Sequence, residues 1–176
     1  MPTTPSPDPL ETLAARHAET RRRCAALPGL LASGNDAPAV SFRAAQAAEL
    51  LAYFDGPARR ARQIQEQCLF PALIESMAGS DAVCLRGMTE GLRSERQRLD
   101  GIWHARLRPA LAQLAAGEPA AIDAAAVQAW TEDFQRCLQR ADDELLPMAA
   151  RLLTDEALST LGECRLPDEQ RQGTAE

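Results

Sequence analysis

Four long stretches of this chain repeat apolar residues at three- and four-residue steps, with short turn-forming segments between them. That spacing places the apolar side chains on one face of a helix, so each stretch predicts an amphipathic helix. The stretches cover residues 9–31, 40–77, 83–116 and 123–153. Helices joined by short connections pack antiparallel to their neighbours. The sequence therefore predicts an all-α fold, an antiparallel up-down four-helix bundle with a short C-terminal helix over 155–164.

Capping and turn residues mark the ends of these predicted helices. Asp8, Asp81 and Thr154 precede helical stretches, and such side chains accept hydrogen bonds from the free N–H groups of a helix start. Asp55-Gly56-Pro57 predicts a break or kink in the second helix, and Pro109 predicts a bend in the third, because proline lacks the N–H that a helix needs. The predicted turns are residues 33–38, 78–80 and 117–119.

One domain accounts for the 176 residues. The Pro-, Ser- and Thr-rich start predicts a flexible N-terminus over residues 1–8, without the apolar run of a signal peptide. The bundle is expected over residues 9–164. The polar composition of residues 165–176 predicts a disordered tail.

Composition argues against two classes of partner. The net charge is −6, and the basic residues are all Arg without a basic block, so we expect no nucleic-acid partner. No apolar run is long enough to predict a membrane span. The five cysteines are odd in number, widely spaced and without a Cys-x-x-Cys pair. This pattern favours a reducing cytoplasm, with the thiols as small core residues, over a disulfide framework.

Polar residues interrupt the apolar stripes at one level of the predicted bundle. His17 does so on the first helix, Gln65 on the second and Arg96 on the third. Bundles often build their sites from such side chains on facing helices. The four helices therefore predict one buried pocket.

Three motifs resemble the hemerythrin-like, or HHE cation-binding, domain family. Pro9-Leu10-Glu11-Thr12-Leu13 followed by Arg16-His17 is similar to the family's first helix, whose His is a metal ligand. Residues 66–73, Glu-Gln-Cys-Leu-Phe-Pro-Ala-Leu, resemble its acidic run before Leu-Phe-Pro. Residues 143–154, with Leu-Leu-Pro, resemble the end of its fourth helix, and Glu95-Arg96 stands where the family has Glu-His. The likeness covers residues 10–161.

The resemblance implies a carboxylate-bridged di-iron site, used for dioxygen binding, sensing, iron handling or nitric oxide chemistry. It also assigns ligand-equivalent positions, which are His17, Ala61, Gln65, Arg96, Asp100, Cys137 and Ala141. Only His17 matches outright, because alanine has no donor atom and arginine is a permanent cation. Two iron ions need several anionic ligands. We therefore expect a degenerate site without cofactor, metal ligand or catalytic residue.

Three functions remain open. The first is a non-catalytic module for interaction with an unknown protein partner, for regulation or for binding a small ligand. The alternative is an iron- or zinc-binding sensor of oxygen, nitric oxide or metal that uses a reduced site of His17, Asp100 and Cys137. A thiol redox sensor would use Cys68 or Cys137, each of which lies on the predicted inward face of its helix.

Arg96 carries the sharpest structural hypothesis. Its guanidinium is predicted to fill the space of the metals, to pair with Asp100 and to hydrogen-bond Gln65, because a buried charge needs partners. The competing hypothesis is that the Arg96 side chain extends to the end of the bundle or to the surface, where its guanidinium is solvated. Glu66 is predicted as a surface acid and His104 as a surface His paired with Asp100, since both residues lie off the inward stripe.

Overall fold

The computed structural model describes residues 8–32, 37–77, 80–120 and 123–164. Within these ranges the chain is helical and contains no strand, which confirms the predicted fold class. The predictions for residues 1–7, 33–36, 78–79 and 165–176 lie outside the described residues. The helices in the described part also lack the combination of length and hydropathy that a membrane span requires.

Four long helices and one short helix follow in chain order. They are α1 (Pro9–Ala32), α2 (37–75), α3 (80–115), α4 (124–152) and α5 (Asp155–Gly162). α1 and α3 each pack against both α2 and α4, and α5 packs against α1. This is the arrangement that a four-helix bundle with short connections requires.

Wide π-helical turns divide three of the long helices. α2 consists of Ala37–Tyr53, the π turn Phe54–Ala58, Arg59–Ile64, the π turn Gln65–Leu69 and Phe70–Glu75. α3 consists of Ser80–Ile102, the π turn Trp103–Leu107 and Arg108–Ala115. α4 consists of Ala124–Arg140, the π turn Ala141–Leu145 and Leu146–Leu152.

Proline accounts for the positions of these turns. Three of the π turns end two residues before Pro71, Pro109 or Pro147, and the fourth contains Pro57. A π turn closes its hydrogen bond over five residues, which gives the proline ring more room against the preceding turn. The break or kink predicted at residues 55–57 takes the form of a widened turn, and α2 continues beyond Pro57 as expected.

Capping geometry fixes several helix ends as predicted. Asp8 Oδ1 accepts a hydrogen bond from Leu10 N at 2.8 Å, and Thr154 Oγ1 accepts one from Ala157 N at 3.2 Å. Gly117 ends α3 with φ of 76°, a left-handed conformation that favours glycine. The side chain of the third predicted cap, Asp81, lies outside the described part.

An aromatic cluster fills the middle of the bundle core. It consists of Phe54, Trp103, Trp130 and Phe134, whose neighbouring ring centroids lie 4.7 to 6.0 Å apart. Trp130 Nε1 donates to the Leu99 carbonyl at 2.9 Å, so this indole is buried with its polar group satisfied. The four residues join three helices in one cluster, with Phe54 on α2, Trp103 on α3, and Trp130 and Phe134 on α4.

The cysteines depart from the sequence prediction at the pair Cys68 and Cys164 and at Cys84, which is exposed rather than in the core. Cys68 is half-buried rather than inward and forms a disulfide with Cys164, with Cα atoms 6.6 Å apart. The prediction that no disulfide forms is wrong here, because the return of α5 brings together two residues that are 96 positions apart. Cys24 and Cys137 are buried thiols, as expected. A disulfide is typical of proteins in oxidising compartments.

We expect the disulfide to stabilise the bundle by about 2–4 kcal/mol, because it closes a long loop and restricts the unfolded chain. Cys164→Ser should lower the free energy of unfolding in urea by that amount under oxidising conditions. Cys84→Ser removes an exposed free thiol and is the control. Equal stability of both variants would show that the disulfide does not form.

Candidate functional site

A chain of hydrogen bonds crosses the bundle core and joins all four long helices. Arg96 Nη2 on α3 donates to Gln65 Oε1 on α2 at 2.6 Å. The Gln65 amide nitrogen lies 2.5 Å from Nε2 of His17 on α1. His17 Nδ1 contacts Asp142 on α4, and Arg21 Nη1 donates to the second oxygen of that carboxylate at 2.5 Å.

The two fixed ends of this chain determine where its protons lie. Arginine can only donate, so the oxygen of the Gln65 amide faces Arg96 and its NH₂ faces His17. His17 Nε2 must therefore accept, and its proton stays on Nδ1, where it is donated to Asp142. Burial lowers the pKa of His17 and so favours this neutral form, whereas Asp142 acts in the opposite direction and raises the pKa.

The sequence prediction missed Asp142. It considered Ala141, four residues after Cys137, because a regular helix places such residues on one face. The π turn Ala141–Leu145 adds a residue to the turn and lets the carboxylate five positions after Cys137 reach His17. Pro147 was the available signal, since the same wide turn precedes Pro71 and Pro109.

A cavity of about 80 Å³ lies between this chain of hydrogen bonds and the aromatic cluster. Its wall includes all but one of the ligand-equivalent side chains, namely His17, Ala61, Gln65, Arg96, Asp100 and Cys137, together with the four rings of the cluster. The remaining one, Ala141, is fully buried and does not line it. The cavity thus has one polar wall and one aromatic wall.

Arg96 is buried as the sharper hypothesis expected, with 6% of its surface exposed and a hydrogen bond to Gln65. Its expected pairing with Asp100 is wrong. Asp100 lies at the mouth of the cavity and pairs with Arg62 at 2.8 Å, because it sits one turn further along α3. The carboxylate near Arg96 is instead that of Glu66, whose Oε1 lies 3.8 Å from Nη1.

Glu66 and His104, which the sequence predicted to lie off the inward stripe, are both near this site. Glu66 does not line the cavity, in agreement with its predicted position off the inward stripe, but its side chain is half-buried rather than fully exposed, and its Oε1 lies near Arg96. His104 is exposed and lies 3.9 Å from Asp100, as predicted.

Cys137 provides the thiol of the cavity. Burial raises its pKa, and the nearby Arg96 guanidinium opposes that rise only in part. A thiol with a raised pKa is a poor nucleophile and a poor metal ligand at neutral pH. This environment matches the expected role of a small core residue.

The residues present do not fit a di-iron centre. Both ring nitrogens of His17 are engaged in hydrogen bonds, so neither has a lone pair free for a metal. Ala61 and Ala141 have no donor, and the Arg96 cation lies beside the cavity. Across the described ranges, no three His, Cys, Asp or Glu side chains form a group that could hold a metal ion. The reduced site of His17, Asp100 and Cys137 is therefore not assembled either.

The fold and the position of this pocket define a four-helix bundle of the hemerythrin class. The family described as the Hemerythrin HHE cation binding domain matches residues 8–149. The chain belongs to this family, as its motifs predicted. No curated protein and no solved structure gives a match to it.

We expect Gln65→Met to lower the free energy of unfolding by about 2–4 kcal/mol, because it leaves both Arg96 Nη2 and His17 Nε2 without a partner in the core. Gln128→Met is the control, since Gln128 is exposed and bonds only Glu132 in the described part. Its effect should stay within about 0.5 kcal/mol. Urea unfolding measures both, and equal effects would contradict the buried chain.

We expect stability to fall as the pH drops below the ordinary His value of 6.5. Burial lowers the pKa of folded His17, so below 6.5 the unfolded state takes up a proton more readily and gains relative stability. Asp142 opposes this effect, whereas Arg96 and Arg21 add to it.

Urea unfolding at several pH values between about 7.5 and 5.5 tests this sign. The pH dependence should be weaker in His17→Gln and unchanged in His104→Gln, which alters the exposed His. A His17→Gln protein with the full pH dependence of the wild type would show that His17 does not titrate abnormally.

Proposed function

We propose that this protein is a hemerythrin-fold domain with a degenerate metal site, which acts without iron as a small-ligand-binding, regulatory or interaction module. The observation that carries the proposal is the hydrogen-bond chain from Arg96 through Gln65 to His17 and Asp142. This chain engages the one ligand-equivalent His of the family and places a fixed cation beside it. A site built in this way favours hydrogen-bonding ligands over metal ions.

The proposed role is non-catalytic. Two imidazoles line the cavity: His104 is exposed, whereas the buried His17 has both nitrogens engaged and supplies neither a free general base nor a free acid. The buried Cys137 thiol has a raised pKa and lacks the activation that a nucleophile requires. Binding through the cavity is the use that these groups support.

The partners we propose are a small ligand in the cavity or a protein partner on the bundle surface. The acidic composition supports neither nucleic acid nor membrane as a partner. A cytoplasmic location remains a prediction from the sequence, and the Cys68–Cys164 disulfide argues for testing it.

Elemental analysis tests the absence of a metal centre. The full chain, expressed in iron-supplemented medium and purified without a metal-affinity tag, should contain far less than one metal ion per chain. It should also lack the near-ultraviolet and visible absorption of an iron-oxo centre. A circular dichroism spectrum of the same sample establishes that the analysed protein is folded.

Two irons per chain in that folded sample would overturn the proposal, because the hydrogen-bond chain would then have to open and free His17 as a ligand. One iron or zinc per chain would instead support the reduced site of His17, Asp100 and Cys137.

A further inference from the structure

We propose that the cavity beside Arg96 binds a small carboxylate of about the size of acetate, with the guanidinium holding the carboxylate and the aromatic cluster contacting the methyl end. This inference rests on the proposed function, because it requires a core without metal ions. It goes further by naming the chemical class of the ligand.

An unused donor of Arg96 is the first support. Nη2 donates to Gln65, whereas Nη1 makes no hydrogen bond in the described part of the chain. The Oε1 atom of Glu66, 3.8 Å from Nη1, is beyond hydrogen-bonding distance. A buried charged N–H without an acceptor is unfavourable. An anion in the cavity that Arg96 lines would supply the acceptor.

The cavity size limits the ligand. A dry protein cavity of about 150 Å³ can hold benzene, so a cavity of about 80 Å³ holds roughly three or four heavy atoms. Acetate has that size. A carboxylate oxygen can accept from the unused Nη1, and the methyl group suits the side chains of Phe54, Trp103, Trp130 and Phe134 that line the cavity.

The surrounding charges favour a single negative charge. Asp142 is at the far end of the hydrogen-bond chain and already contacts both Arg21 and His17. Glu66 does not line the cavity but lies close enough to Arg96 to balance part of its charge, so a dianion would leave an excess of buried negative charge. Arg59 and Arg62 line the cavity together with Asp55 and Asp100, but Arg62 pairs with Asp100 and Asp55 pairs with Arg108, so these acids do not leave an unpaired negative charge that would repel an anion.

Tryptophan fluorescence can follow binding without a label. The two tryptophans of the chain, Trp103 and Trp130, both line the cavity, so their emission reports on its contents. The affinity limit of a four-atom ligand places the tightest Kd on the order of tens of micromolar. Metal-free protein is titrated with sodium acetate and, as the neutral isostere, with acetamide at constant ionic strength. We expect a saturable change with acetate and none with acetamide over the same range.

Three variants separate the pocket from general effects. Arg96→Gln should weaken acetate binding about 10- to 100-fold, because it removes a charged donor. Arg93→Gln removes a cation of the same helix that also lies over the Phe70 ring but does not line the cavity, so binding should persist. Ala61→Leu keeps Arg96 and fills the cavity, and it should abolish binding even if Arg96→Gln fails to fold.

Identical responses to acetate and acetamide, or no saturable response in the wild type, would overturn the carboxylate site. Unchanged binding in Ala61→Leu would overturn its location. Bound metal in the same preparation would overturn this inference and the proposed function together, whereas metal-free protein that does not bind acetate would overturn the carboxylate site alone.

Discussion

Arg96 brings a permanent positive charge into the core of the bundle, where only 6% of the residue is exposed. Removing a guanidinium from water is unfavourable, and buried ion pairs rarely recover the whole desolvation free energy. Arg96 relies on a hydrogen bond to Gln65, a ring contact with Phe70 and a distant Glu66. These partners all lie on α2, so they require α2 and α3 to share one register, and Gln65 then extends the hydrogen bonds to His17 of α1 and through it to Asp142 of α4. The buried charge therefore contributes more to specifying the arrangement of the helices than to their stability.

Much of the fold could be predicted because its signals are local and repeated. The apolar period identified the helices, and single side chains such as Asp8 and Thr154 identified their ends. At Pro57 the sequence predicted a break or kink with the helix continuing beyond it, but it did not predict the widened turn that accommodates the proline. Phe54 lies in the same turn and packs against Trp103 and Trp130, so tertiary packing favours a continuous helix with a widened turn. Local propensity did not include that contribution.

The site was less predictable because its contacts depend on phase and on distant partners. Period counting placed His17, Gln65 and Arg96 at one level of the bundle, and the three are joined by hydrogen bonds. It could not place Asp142, because a π turn changes the angle between residues that a regular helix fixes. The pairing of Cys68 with Cys164 depends on where α5 packs, and the spacing of apolar residues along a helix carries no information about that.

The chemistry of the core sets what such a bundle can recognise. A metal pair joins helices through coordinate bonds and can leave a position open for an exogenous ligand such as dioxygen. A guanidinium joins helices through hydrogen bonds and offers an N–H instead. Dioxygen is a poor hydrogen-bond acceptor, whereas a carboxylate is a strong one. If a guanidinium replaces the metal pair in the same fold, the core would therefore bind an anion such as a carboxylate instead of dioxygen. On the proposed function, the cation that remains in this core selects its ligand by charge and hydrogen bonding.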